Sequence, residues 1–549
     1  MNAESRTGDR FDLIVIGAGI NGAGIARDAS MRGLRVLLID KGDVGSGTTS
    51  WSTRLIHGGL RYLEHGEVGL VWESLRERER LLRIAPHLVR PLPLLIPIYT
   101  GDKRGPALIR AGMLAYDALS LGKSTPGHQM LDDEAVRLRV PGLRNEGLRG
   151  AALYFDGQAE YPERLTLENA LDARLHGAEL RTYCEVERIL TVGPNVSGIE
   201  GHDPLSGEPF RFHAPIVINV AGPWVDTVLN GSAKPIAERL IGGSKGTHIV
   251  VGPFPGAPRD GMYAEARRDG RPFFIIPWND AYLIGTTDTR YAGSLDRVVA
   301  EPWEIAWLLD ETNRVIPSAK LRQEDVLYSY AGVRPLPFVP DGREGSITRR
   351  HLVLDHGLRG GPAGLLSVIG GKLTTYRELA EQAVDMVLRM TGRPKQASRT
   401  AEIPLPGGDV TNSWEAFQAA FRQESGLSDA SNRHLLRVYG ARARQLLATA
   451  TTPESRAVID VDSGAIAAEI PWAFRMEGAR TLADAIARRT MIGLGPRAGI
   501  GADRVAADVA RQALGWDSAK ADAEVAAYRD WVSRYRPRAL EETRSASDA

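Results

Sequence analysis

The sequence predicts an α/β protein of several domains that ends in a helical domain, and three observations carry this prediction. A short apolar run, a glycine-rich turn and an apolar helical pattern follow one another at the start of the chain. Short apolar runs then alternate with Gly and Pro as far as Gly392, which is typical of strands. Beyond Gly408, Ala, Arg, Leu and Glu recur at helical spacing, which predicts helices over residues 431–447, 481–489 and 502–514.

Composition excludes several classes of protein. The chain has 549 residues, enough for about three or four domains. Its 68 basic and 68 acidic residues leave no net charge, which argues against a nucleic-acid partner. The single cysteine, Cys184, cannot form an intrachain disulfide, a four-cysteine zinc site or a cysteine-held iron–sulfur cluster, so we expect no metal centre and a reducing compartment. We expect neither a secretory signal nor a membrane-spanning segment.

The first predicted element is a strand–helix–strand unit that binds a dinucleotide. Its turn has the pattern G-x-G-x-x-G, formed by Gly17, Gly19 and Gly22 around Asn21, and its second strand ends at Asp40. The first glycine permits the tight turn, the second lets the backbone approach a pyrophosphate, and the third lets the helix pack closely on the sheet. The helix N terminus attracts phosphates, and the acid is placed to bind a ribose diol. We therefore predict that this unit is Rossmann-like, and both FAD and NAD would fit it.

The next segment, residues 47–63, favours a flavin. It is dense in hydroxyl groups, which suit the diphosphate and ribityl part of an extended flavin, and it then carries a histidine followed by two glycines. Paired glycines let the chain pass close to a flat ring. The residues that we expect to contact the cofactor here are Thr48, Thr49, Ser50, Ser52, His57, Gly58 and Gly59.

With this segment the chain resembles the FAD-dependent glycerol-3-phosphate dehydrogenases, the membrane-associated, quinone-reducing enzymes of the wider glycine oxidase and D-amino-acid oxidase superfamily. Other matching stretches follow in order, so that the resemblance covers about residues 11–535. They are residues 219–224, 245–251, 277–278, 285–288, 331–336, 347–349, 370–377 and 480–490.

The resemblance implies a glucose-oxidase-like, discontinuous FAD-binding domain with an inserted antiparallel-sheet substrate domain. The FAD domain would comprise residues 1–72, 155–227 and 341–395, and the substrate domain residues 73–154 and 228–340. A helical domain of residues 400–537 and a disordered tail of residues 538–549 would follow. Further cofactor contacts implied by the family motifs are Ala221, Gly222, Trp224, Gly371, Lys372, Leu373 and Thr374.

The implied reaction is oxidation of sn-glycerol 3-phosphate to dihydroxyacetone phosphate by hydride transfer from C2 to FAD, with ubiquinone or menaquinone as electron acceptor. It requires a cationic clamp for the phosphate, and arginine suits this role because its guanidinium meets phosphate oxygens bidentately. Lys372 has two roles open to it, at the phosphate or at the flavin edge, where a positive charge stabilises the reduced ring. The candidates that the family motifs supply are Arg61, Tyr62, Arg334, Arg349 and Lys372.

Two histidines compete for the role of base. His57 precedes the paired glycines, and His248 lies on a predicted strand, 247–251, with apolar neighbours. A histidine pKa near 6.5 suits proton abstraction at neutral pH. We favour His248 as base and substrate contact, with His57 supporting the flavin. The structural alternatives are a buried core histidine for His248 and a hydrogen bond that orients the flavin for His57.

A quinone dissolved in the bilayer requires membrane contact. Residues 76–110 carry eight basic and three acidic side chains, beside the apolar run Leu92–Tyr99 and before Ala107–Leu121. Basic residues next to exposed apolar ones suit an anionic interface. The alternative is a solvated helix over Leu70–Ile84 that packs on core strands. The apolar residues noted in the last segment are Met113, Leu114 and Tyr116.

The expected location is the inner face of the cytoplasmic membrane, with the protein peripherally attached and a homodimer as one expected assembly. The alternative enzyme is a glycerol-3-phosphate oxidase, which gives electrons to dioxygen and releases hydrogen peroxide. An iron–sulfur-linked subunit is disfavoured because the C-terminal domain has no cysteine. A non-catalytic flavoprotein is disfavoured because the cations and both histidines are retained.

Overall fold

The computed structural model describes residues 10–547, except 61–62, 64–65, 233–235, 237, 268–269 and 341–346. The interpretations of Arg61 and Tyr62 therefore lie outside the described residues. The described strands are β1 (Leu13–Ile16), β2 (Val36–Ile39), β3 (Leu55–Ile56), β4 (Val89–Tyr99), β5 (Gln129–Leu131), β6 (Leu148–Ala159), β7 (Glu179–Arg181), β8 (Glu185–Val192), β9 (Asn195–His202), β10 (Pro209–His213), β11 (Ile216–Asn219), β12 (Ser244–Val251), β13 (Gly261–Glu265), β14 (Pro272–Trp278), β15 (Ala281–Gly285), β16 (Thr289–Arg290), β17 (Val326–Arg334), β18 (Leu352–Asp355), β19 (Leu365–Ile369), β20 (Val458–Asp460) and β21 (Ala465–Ile466).

The helices surround two larger sheets and form most of the C-terminal part. In the described part of the chain they are α1 (Ile20–Met31), α2 (Val68–Ile84), α3 (Pro106–Leu119), α4 (Asp133–Arg139), α5 (Pro162–Leu175), α6 (Val225–Asn230), α7 (Pro302–Val315), α8 (Tyr376–Met390), α9 (Trp414–Glu424), α10 (Asp429–Tyr439), α11 (Ala443–Thr449), α12 (Glu469–Arg475), α13 (Leu482–Asp484), α14 (Ala502–Leu514), α15 (Ser518–Ser533) and α16 (Arg538–Ser547). The predicted fold class is confirmed.

The first sheet carries the dinucleotide unit. Its strand order is β18-β19-β11-β1-β2-β7, and every pair is parallel except β18 with β19. Helices α1, α5 and α8 cover one face, and the small sheet β8–β10 with α6 covers the other. Burial on both faces explains why β1, β2 and β11 are continuous apolar runs.

The second sheet contains the strands predicted for the inserted domain together with β3, which lies in a segment predicted for the FAD domain. Its order is β16-β12-β15-β14-β13-β4-β6-β3, with β17 paired to β12 and β5 to β6. It is antiparallel, as expected, except that β4 and β13 run parallel. The apolar run Leu92–Tyr99 belongs to β4, and Leu94 and Leu95 are fully buried. The prediction that this run contributes to a membrane surface is therefore wrong, because the run is part of the core.

The C-terminal helices differ from the expected ones where glycine and packing intervene. The predicted helix over 431–447 is interrupted at Gly440, whose φ of +57° ends α10 before α11 begins. The predicted helix over 481–489 starts as α13 and continues as the π-helical turn Ala485–Arg489. The tail expected to be disordered contains α16, where Leu540 is buried in the core cluster of the C-terminal helices. In the described residues no helix has the length and apolarity to cross a membrane.

Candidate active site

The glycine-rich turn joins β1 to α1 at the carboxyl end of the parallel strands. Gly17 has a φ of +108°, and a Cβ there would lie 2.6 Å from the backbone oxygen of Val220. A Cβ at Gly22 would lie 1.8 Å from the backbone oxygen of Gly17. Only glycine fits these two positions, and α1 then begins after Gly19 without a side-chain cap. The uncapped N terminus suits a phosphate group.

Two polar side chains beside the turn fit an adenosine ribose. Asp40 accepts hydrogen bonds from the N–H groups of Ala18 at 2.6 Å and Gly42 at 2.8 Å, which fixes its carboxylate at the end of β2. Burial raises the pKa of Asp40 above its usual value. Asn21 has a buried Oδ1 that finds no hydrogen-bond partner among the described residues. A ligand hydroxyl would satisfy this oxygen, so the residues present fit a dinucleotide such as FAD.

The hydroxyl-rich loop is folded by some of its own hydroxyl groups. Thr49 Oγ1 accepts the N–H of Ile20 at 3.2 Å, at the start of α1. Ser50 is buried and donates to a backbone carbonyl of the same loop at 2.7 Å, so it supports the loop instead of facing the cavity. Thr48 and Ser52 line the cavity described below.

The loop after β11 lies beside the glycine-rich turn. A Cβ at Gly17 would be 3.0 Å from the Cα of Ala221, which precedes Gly222. The indole Nε1 of Trp224 donates to Asp296 at 3.0 Å, on the outer side of this loop. The structure thus places these predicted cofactor residues at the nucleotide end and away from the large cavity.

A cavity of about 1210 Å³ brings together predicted site residues that are distant in sequence. It is lined by the hydroxyl-rich loop, by strands of the second sheet and by the turn after β19. The predicted residues on its wall are Thr48, Ser52, His57, Gly59, His248, Arg334, Arg349, Gly371, Lys372, Leu373 and Thr374.

His248 is held rigidly on β12. Its Nε2 lies 2.9 Å from Thr53 Oγ1, and its Nδ1 is buried without a hydrogen-bond partner in the described structure. The ring stacks on Tyr330, its register partner on β17, with centroids 4.9 Å apart. Burial, with Arg334 and Arg54 adding to it, lowers the pKa of His248 well below its usual value. The imidazole is therefore neutral at neutral pH and able to accept a proton.

His57 lies on the wall of the same cavity, in the loop that carries the paired glycines. Its backbone N–H donates to Thr374 Oγ1 at 3.1 Å, which ties this loop to the turn after β19. Burial lowers the pKa of His57; Asp156 opposes this effect and Lys372 adds to it. The two loops on which His57 and Thr374 lie are thus joined where the family motifs place the flavin.

A buried network that the sequence did not predict fixes the loop at Gly58. Asp156 accepts hydrogen bonds from the Gly58 N–H at 3.2 Å, from the Tyr116 hydroxyl at 2.6 Å and from Arg78 at 2.7 Å. A Cβ at Gly58 would lie 2.3 Å from the Tyr116 hydroxyl oxygen, so only glycine fits. No local pattern marks these partners, because they come from α2, α3 and β6.

Two arginines share one carboxylate at the cavity wall. Arg334 lies 3.2 Å from Asp288 Oδ1 and donates to Thr286 at 3.1 Å, and Arg349 lies 3.6 Å from Asp288 Oδ2. Although burial opposes it, Arg334, the Ser244 hydroxyl and Arg349 hold the pKa of Asp288 below its usual range. The carboxylate is therefore ionised and orients both guanidinium groups. The motif 285–288 contained this acid, but we had not assigned it to the site.

Lys372 follows two glycines at the end of β19. Burial lowers the pKa of Lys372 to about 7; Glu73 and Glu67 oppose this effect, and Arg349 adds to it. A Cβ at the preceding Gly371 would lie 2.4 Å from the side-chain nitrogen of Asn21, so this turn touches the nucleotide end of the site. Lys372 therefore follows the turn that meets the nucleotide end of the site, and the charge of Arg349 is close enough to affect its pKa.

We expect kcat/KM for the implied substrate, glycerol 3-phosphate, to fall above a pH of about 7. The Lys372 ammonium is charged below its pKa and loses its charge above it. Lys372→Arg should move this fall to higher pH, since a guanidinium keeps its proton. The measurement is kcat/KM against pH for both proteins, with Lys372→Met as the uncharged control. An identical alkaline fall in the arginine variant would contradict this role.

A dinucleotide turn next to a cavity with cationic and proton-accepting side chains defines a nucleotide-dependent oxidoreductase. Residues 12–377 match the model of the FAD dependent oxidoreductase family, and residues 398–521 match the C-terminal domain of alpha-glycerophosphate oxidase. The chain belongs to the family of FAD-dependent glycerol-3-phosphate dehydrogenases, and its cofactor is FAD.

Individual relatives show how far the similarity extends. The chain is 47% identical to a glycerol-3-phosphate dehydrogenase of Synechocystis over 542 residues, which are 95% of this chain and 96% of the relative. It is 38% identical to the D-erythritol 1-phosphate dehydrogenase of Brucella abortus, over 87% of this chain and 94% of the relative. The solved glycerol-3-phosphate dehydrogenase of Bacillus halodurans, complexed with FAD, has a TM-score of 0.76 and 27% identity, and covers 96% of this chain and 95% of that one.

Proposed function

We propose that this protein oxidises sn-glycerol 3-phosphate to dihydroxyacetone phosphate and passes the electrons to a membrane quinone. The observation that carries the proposal is the convergence of Arg334, Arg349 and Lys372 with His248 on the wall of one cavity. A phosphate dianion needs such cations, and a C2 hydroxyl needs a proton acceptor. FAD, when bound, supplies the hydride acceptor.

The arginine pair binds the phosphate end of the substrate in this proposal. Arg334 and Arg349 are oriented by the same carboxylate, Asp288, so both guanidinium groups are fixed on the wall of the cavity where a phosphate would bind. Arg334 is held at four points, by Ser244 and Asp288 through Nη1 and by the 286–287 turn through Nη2. A fixed guanidinium loses little rotational freedom when the substrate binds.

His248 removes the C2 hydroxyl proton in this proposal, and His57 supports the flavin. Thr53 and Tyr330 fix the plane of the His248 ring by a hydrogen bond and by stacking. Its lowered pKa keeps the ring neutral as the pH falls through 6.5, so the proton-accepting form persists in mildly acidic solution. His57 is joined to Thr374 through its backbone, which suits a role in holding the flavin-facing loops together.

The wall of the same cavity includes apolar side chains of α3, which suit a quinone. They are Leu108, Ile109 and Met113. Helix α3 presents Leu108 and Leu114 to solvent, with 60% and 57% of their surfaces exposed. Met113 and Tyr116, which we had grouped with Leu114, are buried against the second sheet, so they stabilise the helix and do not form the surface.

We name the exposed apolar residues of α2, α3 and the following turn the α2–α3 surface, and propose that it contacts the inner face of the cytoplasmic membrane. Its exposed apolar members are Val68, Trp72, Leu108, Leu114 and Leu121. Arg76 stacks over the Trp72 ring at 4.3 Å, Lys103 and Arg104 precede α3, and Arg110 lies on it. Apolar residues within a basic border suit an anionic lipid surface.

Membrane contact can be tested by sedimentation with anionic liposomes at low salt. We expect the protein to pellet with the liposomes and the double variant Leu108→Asp/Leu114→Asp to stay largely in the supernatant, because two carboxylates in the surface would meet the anionic lipid. Leu175→Asp, at a leucine that is even more exposed and lies outside this surface, should pellet like the parent protein. Equal pelleting of all three proteins would exclude the α2–α3 surface.

The acceptor is tested by comparing two products of the same turnover. With glycerol 3-phosphate in air, we expect reduction of a soluble quinone to be much faster than formation of hydrogen peroxide. Peroxide as the main product would instead identify an oxidase. D-erythritol 1-phosphate should be assayed beside glycerol 3-phosphate, and a higher kcat/KM for the longer phosphate would contradict the proposed substrate.

A further inference from the structure

The C-terminal helices contact the nucleotide-binding part of the chain through a buried cluster of charged side chains. Asp43 follows Asp40 by three residues and is 1% exposed. It accepts hydrogen bonds from Arg488 Nε at 2.6 Å and from Arg489 Nη1 and Nη2 at 2.8 and 2.7 Å. Both arginines end the π-helical turn Ala485–Arg489, inside a family motif of the C-terminal part that has no role in the proposed chemistry.

Each arginine is also anchored within its own helical domain. Arg488 donates to Asp484 at 2.5 Å, and Arg489 donates to the backbone oxygen of Glu477 at 3.1 Å. Two carboxylates thus face two guanidinium groups, so the buried cluster is neutral overall. Although burial opposes it, Arg489 and Arg488 lower the pKa of Asp43 to about 2. The Asp43 carboxyl is therefore ionised throughout the physiological pH range.

The segment that carries Asp43 is tied at both ends to the glycine-rich turn. At one end Asp40 accepts the Ala18 N–H at 2.6 Å, and at the other the N–H of Gly45 donates to the Ala18 carbonyl at 2.9 Å. Asp43 lies between these two attachments, and the Gly42 N–H donates to Asp40 at 2.8 Å. A displacement of Asp43 would therefore reach both the carboxylate and the backbone that face the dinucleotide.

A second contact supports the same connection. The hydroxyl of Tyr183 donates to Asp484 at 2.6 Å, and the Tyr183 N–H donates to the backbone oxygen of Gly42 at 3.0 Å. The next residue, Cys184, donates its N–H to the backbone oxygen of Asp40 at 2.8 Å. The C-terminal domain thus reaches the 40–43 segment directly through the arginines and indirectly through Tyr183.

We propose that the C-terminal helical domain fastens the loop that binds the ADP half of FAD, with Arg488 and Arg489 as positioning residues that act through Asp43 on Asp40. FAD affinity and docking of the helical domain are then coupled, and the coupling is reciprocal. Weakening the arginine contact lowers FAD affinity, and removing FAD loosens the helical domain. The proposal rests on FAD as cofactor and not on the identity of the substrate or acceptor.

The test is FAD release from the holoenzyme, followed by flavin fluorescence after dilution and without substrate. We expect release to be about tenfold faster or more in Arg489→Met, because the buried carboxylate of Asp43 loses one of its two cationic partners and two of its three hydrogen bonds to them. Arg489→Lys keeps the charge with fewer hydrogen bonds and should be intermediate. At saturating FAD, KM for glycerol 3-phosphate should stay within about twofold of the parent value. The described contacts of the two arginines do not include the cationic side chains that bind the substrate in the proposal.

The matched control is Arg437→Gln. Arg437 also lies in the C-terminal helices and pairs with Glu160 across the same interface, but Glu160 is outside the 40–45 segment. This variant should release FAD at the parent rate. Should Arg489→Met fail to fold, Arg489→Lys and Asp43→Asn decide the question. Parent-like FAD release in those two variants, or equally fast release from Arg437→Gln, would overturn the proposal.

Discussion

Replacing Arg334 with methionine is expected to lower kcat/KM for glycerol 3-phosphate about a hundredfold, mainly through KM. Hydrogen bonds to charged groups contribute about 1.5–3 kcal/mol each, and each 1.4 kcal/mol is a factor of ten. Arg334 also makes the shorter of the two ion pairs with the Asp288 carboxylate, so its removal would leave this ionised group less well neutralised beside the phosphate. The two effects act in the same direction.

Three further variants make this prediction specific. Arg349→Met should have a smaller effect, because Arg349 lies farther from the shared carboxylate and is less firmly held. Asp288→Asn added to Arg334→Met should restore part of the loss by removing the repelling charge. Arg290→Met, an exposed arginine on the neighbouring β16, should change KM little. An unchanged KM in Arg334→Met with normal FAD content would contradict the clamp.

Replacing His248 with asparagine is expected to lower the rate of anaerobic flavin reduction by about 10²–10⁴-fold, the usual contribution of a general base. Asparagine keeps a group that can bond to Thr53 but has no proton-accepting nitrogen of comparable basicity. FAD content should be retained, because the described contacts of His248 are with Thr53 and Tyr330. Stopped-flow reduction by glycerol 3-phosphate measures this rate directly.

His57→Asn is the companion variant. We expect a smaller loss in reduction rate and a larger change in flavin reduction potential, since His57 belongs to the loop joined to Thr374. If His57→Asn instead caused the full loss of rate while His248→Asn reduced its flavin normally, the two roles would have to be exchanged.

The nucleotide end of the fold was predictable from sequence because its constraints are local. Gly22 is required by a backbone contact within the turn, Gly17 has a positive φ of +108°, and Asp40 follows the second strand directly. The helix Ala502–Leu514 was likewise predicted with the correct bounds, because its apolar positions recur at helical spacing. Constraints that act within one short segment can be predicted from the sequence of that segment.

The rest depends on contacts between distant segments. His248 meets Tyr330 only through the register of β12 with β17, and it meets Thr53 only because the hydroxyl-rich loop folds back on that strand. Asp156, which is 98 residues from Gly58 in the sequence, accepts the Gly58 N–H from β6. The run 92–99 has the composition of either a surface or a core strand, and only its neighbours in the sheet decide between them.

Anaerobic addition of sn-glycerol 3-phosphate to the FAD-loaded protein tests the central claim most directly. We expect the absorbance of the oxidised flavin to bleach within the time of one turnover. Glycerol, which lacks the phosphate that Arg334 and Arg349 would bind, should leave the flavin oxidised. A protein with its full content of FAD that is not bleached by saturating glycerol 3-phosphate would contradict the proposed function.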